Sequence, residues 1–249
     1  MLYAALTFWL LVIVFSAWGV HWLWSRLVKP RVVNTVLLPG TLVAQLGHVL
    51  GLLITGNSVS NTRLMGDDEK GAPTASTPDK QRIPVIGPVV IGLLPLVACG
   101  TCLCLAATTL GRGMLVEEAS PRLPQALPLT LAGVWELLRT SITVSENMLN
   151  AIRSSDLLNW SNGLFLYLAV CLTVRMTPFE GNRRGAVGAI VLAGLVIGLL
   201  GAAVSSVEEA VRQSWPILSF AVGMLLFLLL ISLLISGLVG LVRLFARSE

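Results

Sequence analysis

Long apolar stretches without a charged side chain dominate the pattern of hydrophobic and polar positions along this chain. A helix that crosses a bilayer needs about 20 mainly apolar residues, and five stretches meet or approach that length. They are residues 1–24, 83–111, 157–174, 185–207 and 215–242. We predict a membrane-embedded helix for each of them.

One further apolar segment, residues 32–55, contains polar side chains that a lipid-facing helix rarely carries. Gln45 and His48 lie within it, and polar residues at membrane depth usually face a bundle interior or a cavity. Pro39 and Gly40 would kink or break a helix there. The segment is therefore either a true crossing or a re-entrant segment that enters and leaves on the same side.

Residues 123–152 differ from the apolar stretches, because charged side chains recur among apolar ones at helical spacing. Glu136, Arg139 and Glu146 are interspersed with leucine, valine, tryptophan and isoleucine. This pattern is typical of an amphipathic helix that lies on the membrane surface or packs against the bundle. The chain has seven crossings if this segment and 32–55 both span the bilayer, and five if neither does.

Basic residues beside the predicted spans indicate the orientation, since Lys and Arg accumulate in cytoplasmic loops. They follow the first span, flank the loop at 176–185 and lie near the end of the chain. We therefore expect the N-terminus outside, the C-terminus in the cytoplasm, and Glu208 and Glu209 in an outside loop. The first span lacks the basic start of a signal peptide and is too long for one, so we expect it to be retained. The expected location is the cytoplasmic membrane of a bacterium.

Composition agrees with a membrane setting. Only 12% of the residues are charged and 55% are hydrophobic, whereas a soluble domain carries about 25% charged residues. The basic residues are not clustered with aromatic ones, so we expect no nucleic-acid binding. Residues 1–249 are predicted to form a single all-α membrane domain, a polytopic helix bundle with five to seven membrane segments. Within it, residues 56–82 form a mobile, water-exposed loop.

The most informative stretch, residues 38–50, has the sequence Leu-Pro-Gly-Thr-Leu-Val-Ala-Gln-Leu-Gly-His-Val-Leu. It resembles the active-site helix of the intramembrane metalloproteases of the site-2 protease type. In that family two histidines four positions apart share a Zn²⁺, and a glutamate between them is the general base. Ala44 and Gln45 stand where the family has its first histidine and its glutamate, and only His48 is retained. Alanine has no lone pair for a metal, and glutamine cannot take up a proton at neutral pH.

The resemblance also implies a third zinc ligand, an aspartate near the end of a later helix. Residues 176–185 read Met-Thr-Pro-Phe-Glu-Gly-Asn-Arg-Arg-Gly, and Asn182 stands roughly where that aspartate is expected. Asparagine is a poor Zn²⁺ ligand compared with a carboxylate, although Glu180 lies two residues away. The resemblance therefore implies a pseudo-protease without catalysis and without a cofactor, in which His48 and Glu180 are the remaining metal-ligand candidates.

Three functions stay open at this point. A non-catalytic relative of the proteases would bind other membrane proteins as a scaffold or accessory subunit, through small-residue helix faces such as residues 188–203. A small transporter or channel would use the Pro-Gly break and His48, although transport sites usually need several ionisable groups at depth. A metalloprotease with an altered metal site would bind zinc through His48 and Glu180. We expect the first, with the lipid bilayer and other membrane proteins as partners.

Overall fold

The computed structural model describes residues 2–57, 86–111, 123–124, 131–154, 159–176, 183–203 and 205–245. These residues form eight helices and no strand, so the predicted all-α class is confirmed for the described chain. The helices are α1 (Leu2–Leu27), α2 (Pro30–Val36), α3 (Leu38–Ile54), α4 (Ile86–Thr109), α5 (Leu131–Ser154), α6 (Trp160–Val174), α7 (Arg183–Ala203) and α8 (Ser205–Phe245).

Three described helices are long and apolar enough to cross a membrane, namely α1, most of α4 and most of α8. The pair of α2 and α3 qualifies as a fourth candidate, but it is bent by 78° at the break between the two helices. Helix α6 has 15 residues, which is about 22 Å of helix and less than the ~30 Å of the hydrocarbon core. The described chain therefore has three or four candidate spans, fewer than the number predicted from the sequence.

Helices α1 and α8 run side by side in the same direction. Near their C-terminal parts, the indole nitrogen of Trp24 donates a hydrogen bond to Oγ of Ser232 at 2.7 Å. Towards the other end, the indoles of Trp9 and Trp215 donate to backbone carbonyls of residues 123–124. Buried indole groups usually find such partners. The starts of both helices consequently lie at one end of the bundle.

Helix α8 begins well before the apolar stretch predicted for the last span. It has 41 residues, and its first turns contain Glu208 and Glu209, so their predicted position in a loop is wrong. Glu208 accepts a hydrogen bond from the guanidinium of Arg212 at 2.7 Å, an (i, i+4) pair that stabilises an exposed helix. Charge marks where the apolar run begins, but the helix continues through the charged turn.

The amphipathic segment forms a helix, α5, that packs along α8. Its charged residues Glu136, Arg139 and Glu146 are exposed, as an amphipathic helix requires. Among the described residues the helix starts at Leu131, whereas the sequence pattern begins at residue 123. Leu123 is 1% exposed, and its backbone N–H donates to the hydroxyl of Ser219 in α8.

Part of the glycine-rich stretch in α7 packs against the first turns of α1. A Cβ at Gly194 would overlap Thr7, and a Cβ at Gly201 would overlap the ring of Tyr3. Small residues allow membrane helices to approach this closely. The predicted role in close helix packing is therefore confirmed for these two glycines, and the helix they contact belongs to the same chain.

Candidate functional site

The chain turns by 78° between α2 and α3, just before Pro39. Pro39 lies in the first turn of α3, where its missing N–H and fixed φ angle are tolerated. Further into a continuous helix the same ring would remove a hydrogen bond and clash with the preceding turn. The predicted break at Pro39 is confirmed, and α3 starts as a new helix.

The last carbonyl of α2, that of Val36, receives its hydrogen bonds from α6. The hydroxyl of Tyr167 donates to it at 2.8 Å, and the thiol of Cys171 donates to it at 3.4 Å. An unsatisfied carbonyl in hydrocarbon costs several kcal/mol, and a helix break creates such groups. Helix α6 therefore stabilises the bend by satisfying the carbonyl that the bend exposes.

One face of α3 carries glycines that contact the backbone of neighbouring helices. A Cβ at Gly40 would overlap the carbonyl of Cys171 in α6. A Cβ at Gly47 would lie 2.8 Å from Cα of Pro95 in α4, and one at Gly51 would meet the same helix a turn further along. Only glycine permits this approach, so the face fixes α3 against both neighbours.

Helix α3 ends in a local stop sequence. Gly56 adopts φ 69°, the left-handed conformation that glycine favours, and the backbone N–H of Asn57 donates back to the carbonyl of Leu52 at 2.9 Å. This arrangement is a Schellman turn. The side chain of Asn57 also donates to the hydroxyl of Thr55 at 2.9 Å. The Thr-Gly-Asn sequence after the motif is thus explained by helix capping.

Ala44, Gln45 and His48, the positions of the predicted resemblance, lie on the packed side of α3. Ala44 is 1% exposed and belongs to the same apolar cluster as Cys99 and Cys171. Gln45 and His48 are 5% and 3% exposed, and each of them has an interaction partner. The burial of two polar side chains agrees with the prediction that they face the bundle interior.

The two residues predicted near the third zinc ligand, Glu180 and Asn182, lie outside the described residues. Helix α6 leads towards them along the chain, and its C-terminal end packs against the start of α3, where Gly40 faces Cys171 and the side chain of Arg175. Among the residues that are described, no three His, Cys, Asp or Glu side chains form a group that could hold a metal ion.

Arg175 is a buried cation that the sequence did not indicate. It is one of the basic residues beside the loop at 176–185, for which a cytoplasmic position is expected, but it is only 6% exposed. Its Nη2 donates to Oδ1 of Asn34 in α2 at 2.6 Å, whereas its Nε finds no hydrogen-bond partner in the described part of the chain. A charge removed from water is costly unless it is paired or hydrogen-bonded. The contact with Asn34 therefore ties α6 to the helix before the bend.

The described residues form an all-helical protein with three or four candidate membrane spans, in which α3 of the kinked helix pair packs against α4 and α6. No protein-family model matches the chain, and neither a curated protein nor a solved structure matches it. The chemistry of the site is therefore argued from the residues themselves.

We expect Gly47→Ala to destabilise the protein by about 1–3 kcal/mol, because the added methyl group meets backbone atoms of α4 that cannot rotate away. The measurement is the midpoint of thermal unfolding in mild detergent. Gly100→Ala, in α4, is the matched control, since a Cβ there meets nothing within 4 Å and alanine favours the helix. Equal midpoints for the two variants would contradict the direct contact.

We expect Asn34→Ala to cost about 1.5–3 kcal/mol, the usual value of a hydrogen bond to a charged group. Thr35→Ala serves as the control, because the hydroxyl of Thr35 is exposed and bonds only its own helix. Adding Arg175→Met to Asn34→Ala should restore much of the lost stability, since the uncompensated charge is then removed. A loss no larger than that of the control, measured by thermal unfolding, would refute the stabilising role of the hydrogen bond between Arg175 and Asn34.

Proposed function

We propose that the protein is a non-catalytic integral membrane protein that resembles the site-2-protease-type metalloproteases and holds other membrane helices as a scaffold or accessory subunit. One observation carries the proposal. The side of α3 on which the resemblance implies a metal is closely packed, with Ala44 at 1% exposure and glycines against the backbones of α4 and α6. A helix face used in this way contributes to packing rather than to an open catalytic cleft.

The chemistry of the two replaced positions supports the same proposal. Gln45 keeps the approximate shape of glutamate and can hydrogen-bond within the bundle, but its amide cannot act as a general base. An imidazole at position 44 would have to displace the neighbours that now enclose Ala44, because well-packed interiors leave no space for added atoms. Catalysis would therefore require changes in packing as well as in residue type.

The opposite side of α3 is available for a partner helix. Its exposed leucines follow each other at spacings of four, four and three, which places them on one stripe. They are Leu42, Leu46, Leu50 and Leu53. This stripe lies directly behind the motif positions, so we propose it as the surface that holds another membrane segment.

The proposed topology has five to seven crossings, with the N-terminus outside and the C-terminus in the cytoplasm of a bacterial cell. The parallel direction of α1 and α8 supports an odd number of crossings, because two spans that run the same way are separated by an even number of steps across the membrane. Both five and seven meet this condition. The sides are assigned from the basic residues beside the spans.

A small transporter or channel is the second candidate, favoured by the 78° break and by Arg175. Broken helices and buried charges are typical of transport sites. Anion flux into vesicles that contain the purified protein, lost in Arg175→Met, would favour this candidate over the scaffold.

We expect the purified protein to contain no stoichiometric zinc, because Ala44 replaces one histidine ligand of the motif and Asn182 stands where the carboxylate ligand is expected. Elemental analysis after purification without chelators gives the zinc content per chain. The matched control is His48→Ala, which should leave the value unchanged. One zinc per chain that disappears in His48→Ala would instead support a metalloprotease with an altered metal site.

We expect the double variant Ala44→His, Gln45→Glu to remain inactive, because without Asn182→Asp it still lacks the third ligand of the motif that the chain resembles, and because the imidazole at position 44 lacks space. Cleavage of a fluorescent transmembrane peptide in detergent is the measurement. If the unmodified protein cleaves the peptide and the His48→Ala variant does not, the proposal of a non-catalytic protein is contradicted.

We expect a photoreactive amino acid at Leu46 to form a discrete adduct with another membrane protein. The control position is Leu105 in α4, which is similarly exposed, at 59% against 63%, but lies outside the α3 stripe. It should give mainly lipid adducts. Identical adducts from both positions, separated on denaturing gels, would show that the stripe has no special role.

A further inference from the structure

Three aromatic side chains and one arginine form an exposed stripe along α1, called the α1 stripe below. Phe15, Trp18, Trp22 and Arg26 follow each other at spacings of three, four and four, which places them on one helix face. All four are exposed, with Trp18 at 42% and Trp22 at 43%. The stripe belongs to the candidate span Leu2–Leu27, so in a bilayer its aromatic part faces lipid.

The arginine at the end of the α1 stripe is stacked on the indole that precedes it. Cζ of Arg26 lies over the Trp22 ring, 3.7 Å from its centroid, in a cation–π contact. Such a stack covers one face of the guanidinium, while the five N–H groups lie in its plane and remain at its edge. The contact therefore holds an exposed set of donors in one orientation, which lowers the entropy that is lost when a ligand binds.

The charge around Arg26 is positive. Lys29 and Arg31 follow within five residues and are also exposed, and no acidic residue precedes Asp67 in the sequence. The junction of α1 and α2 thus has several cations and no carboxylate of its own. A phosphate group, which a guanidinium binds through two parallel hydrogen bonds, complements this arrangement.

The place of the cation at the end of a span favours a lipid as the source of that phosphate. Arg26 lies in the last turn of α1, one turn beyond Trp22, and indole rings prefer the level of the headgroups. A phospholipid bound here would place its acyl chains along Phe15 and Trp18 and its phosphate at Arg26. A free phosphate ion would contact the cations alone and leave the aromatic part of the stripe unused.

We propose that the α1 stripe binds one anionic phospholipid, whose phosphate accepts hydrogen bonds from the guanidinium of Arg26 while this group is stacked on Trp22. Lys29 and Arg31 add positive charge, which favours a headgroup without an ammonium group. The site is separate from the α3 stripe and does not depend on the scaffold function.

The test compares two arginine-to-lysine substitutions that leave the net charge unchanged. Arg26→Lys keeps a cation at the end of the α1 stripe but removes the planar set of donors. Arg31→Lys makes the same change at an exposed arginine in α2 and is the matched control. Binding that depends on charge alone would respond equally to the two variants, whereas the stacked arginine predicts a loss only in Arg26→Lys.

The full-length chain is reconstituted with equal amounts of phosphatidylglycerol and phosphatidylethanolamine, extracted in mild detergent, and examined by native mass spectrometry. We expect one retained phosphatidylglycerol per chain in the unmodified protein and in Arg31→Lys. In Arg26→Lys we expect about fivefold lower occupancy, since an exposed cation–π contact contributes a factor of about this size. Trp22→Leu should lower the occupancy to a similar extent, because it removes the ring on which the guanidinium stacks.

Equal retention of phosphatidylglycerol in the two lysine variants, whether high or low, would overturn the stacked arginine as the binding group. Equal retention of the two lipids by the unmodified protein would overturn the assignment of an anionic headgroup. The same spectra reveal dimers. A dimer in place of the retained lipid, dissociated by Trp22→Leu, would overturn the lipid site and assign the α1 stripe to a second copy of the chain.

Discussion

The close approach of glycines in α3 to the backbones of α4 and α6 is the constraint on which the packing of this helix depends. In lipid, apolar surface gives no drive for helices to associate, so close packing and hydrogen bonds must hold them. Gly40 and Gly47 allow α3 to reach the backbones of α6 and α4. That approach brings α6 near enough for Tyr167 and Arg175 to bond residues of α2. The contact with α6 thus holds the bend that Pro39 creates and positions the buried cation, while the contact with α4 packs the motif positions.

Much of the fold could be predicted from the sequence because hydrocarbon imposes simple requirements. The apolar runs predicted the spans of α1, α4 and α8, and Pro39 predicted the break between α2 and α3. The predicted spans were wrong where a helix and the apolar run within it differ in length, or where the helix is too short to cross. Helix α8 continues through Glu208 because a charged turn is compatible with helix in water, and only its cost in lipid limits the span. Helix α6, in contrast, is too short to cross on its own.

Only those features of the candidate site that depend on α3 itself could be predicted from the sequence. Burial of Gln45 and His48 follows from polar residues in an apolar helix, which must face inwards. The bond from Arg175 to Asn34 joins residues 141 positions apart, and no periodicity in one sequence reports such a pair. Both residues gave a clue, an amide in an apolar segment and a cation at a helix end. Their partnership depends on the packing of α3 against α6, which determines where the two helices meet.

Helix packing and helix capping explain some residues in and after the predicted motif but not others. Gly47 is explained by its contact with α4, and Gly56 by the turn that ends the helix, so neither needs a protease ancestry. Gln45 and His48 differ from these glycines, because burying an amide or an imidazole in a membrane helix costs free energy unless the group has a partner, and both residues have one. The motif positions therefore separate into glycines that packing and capping explain and two polar side chains whose burial depends on interactions inside the bundle.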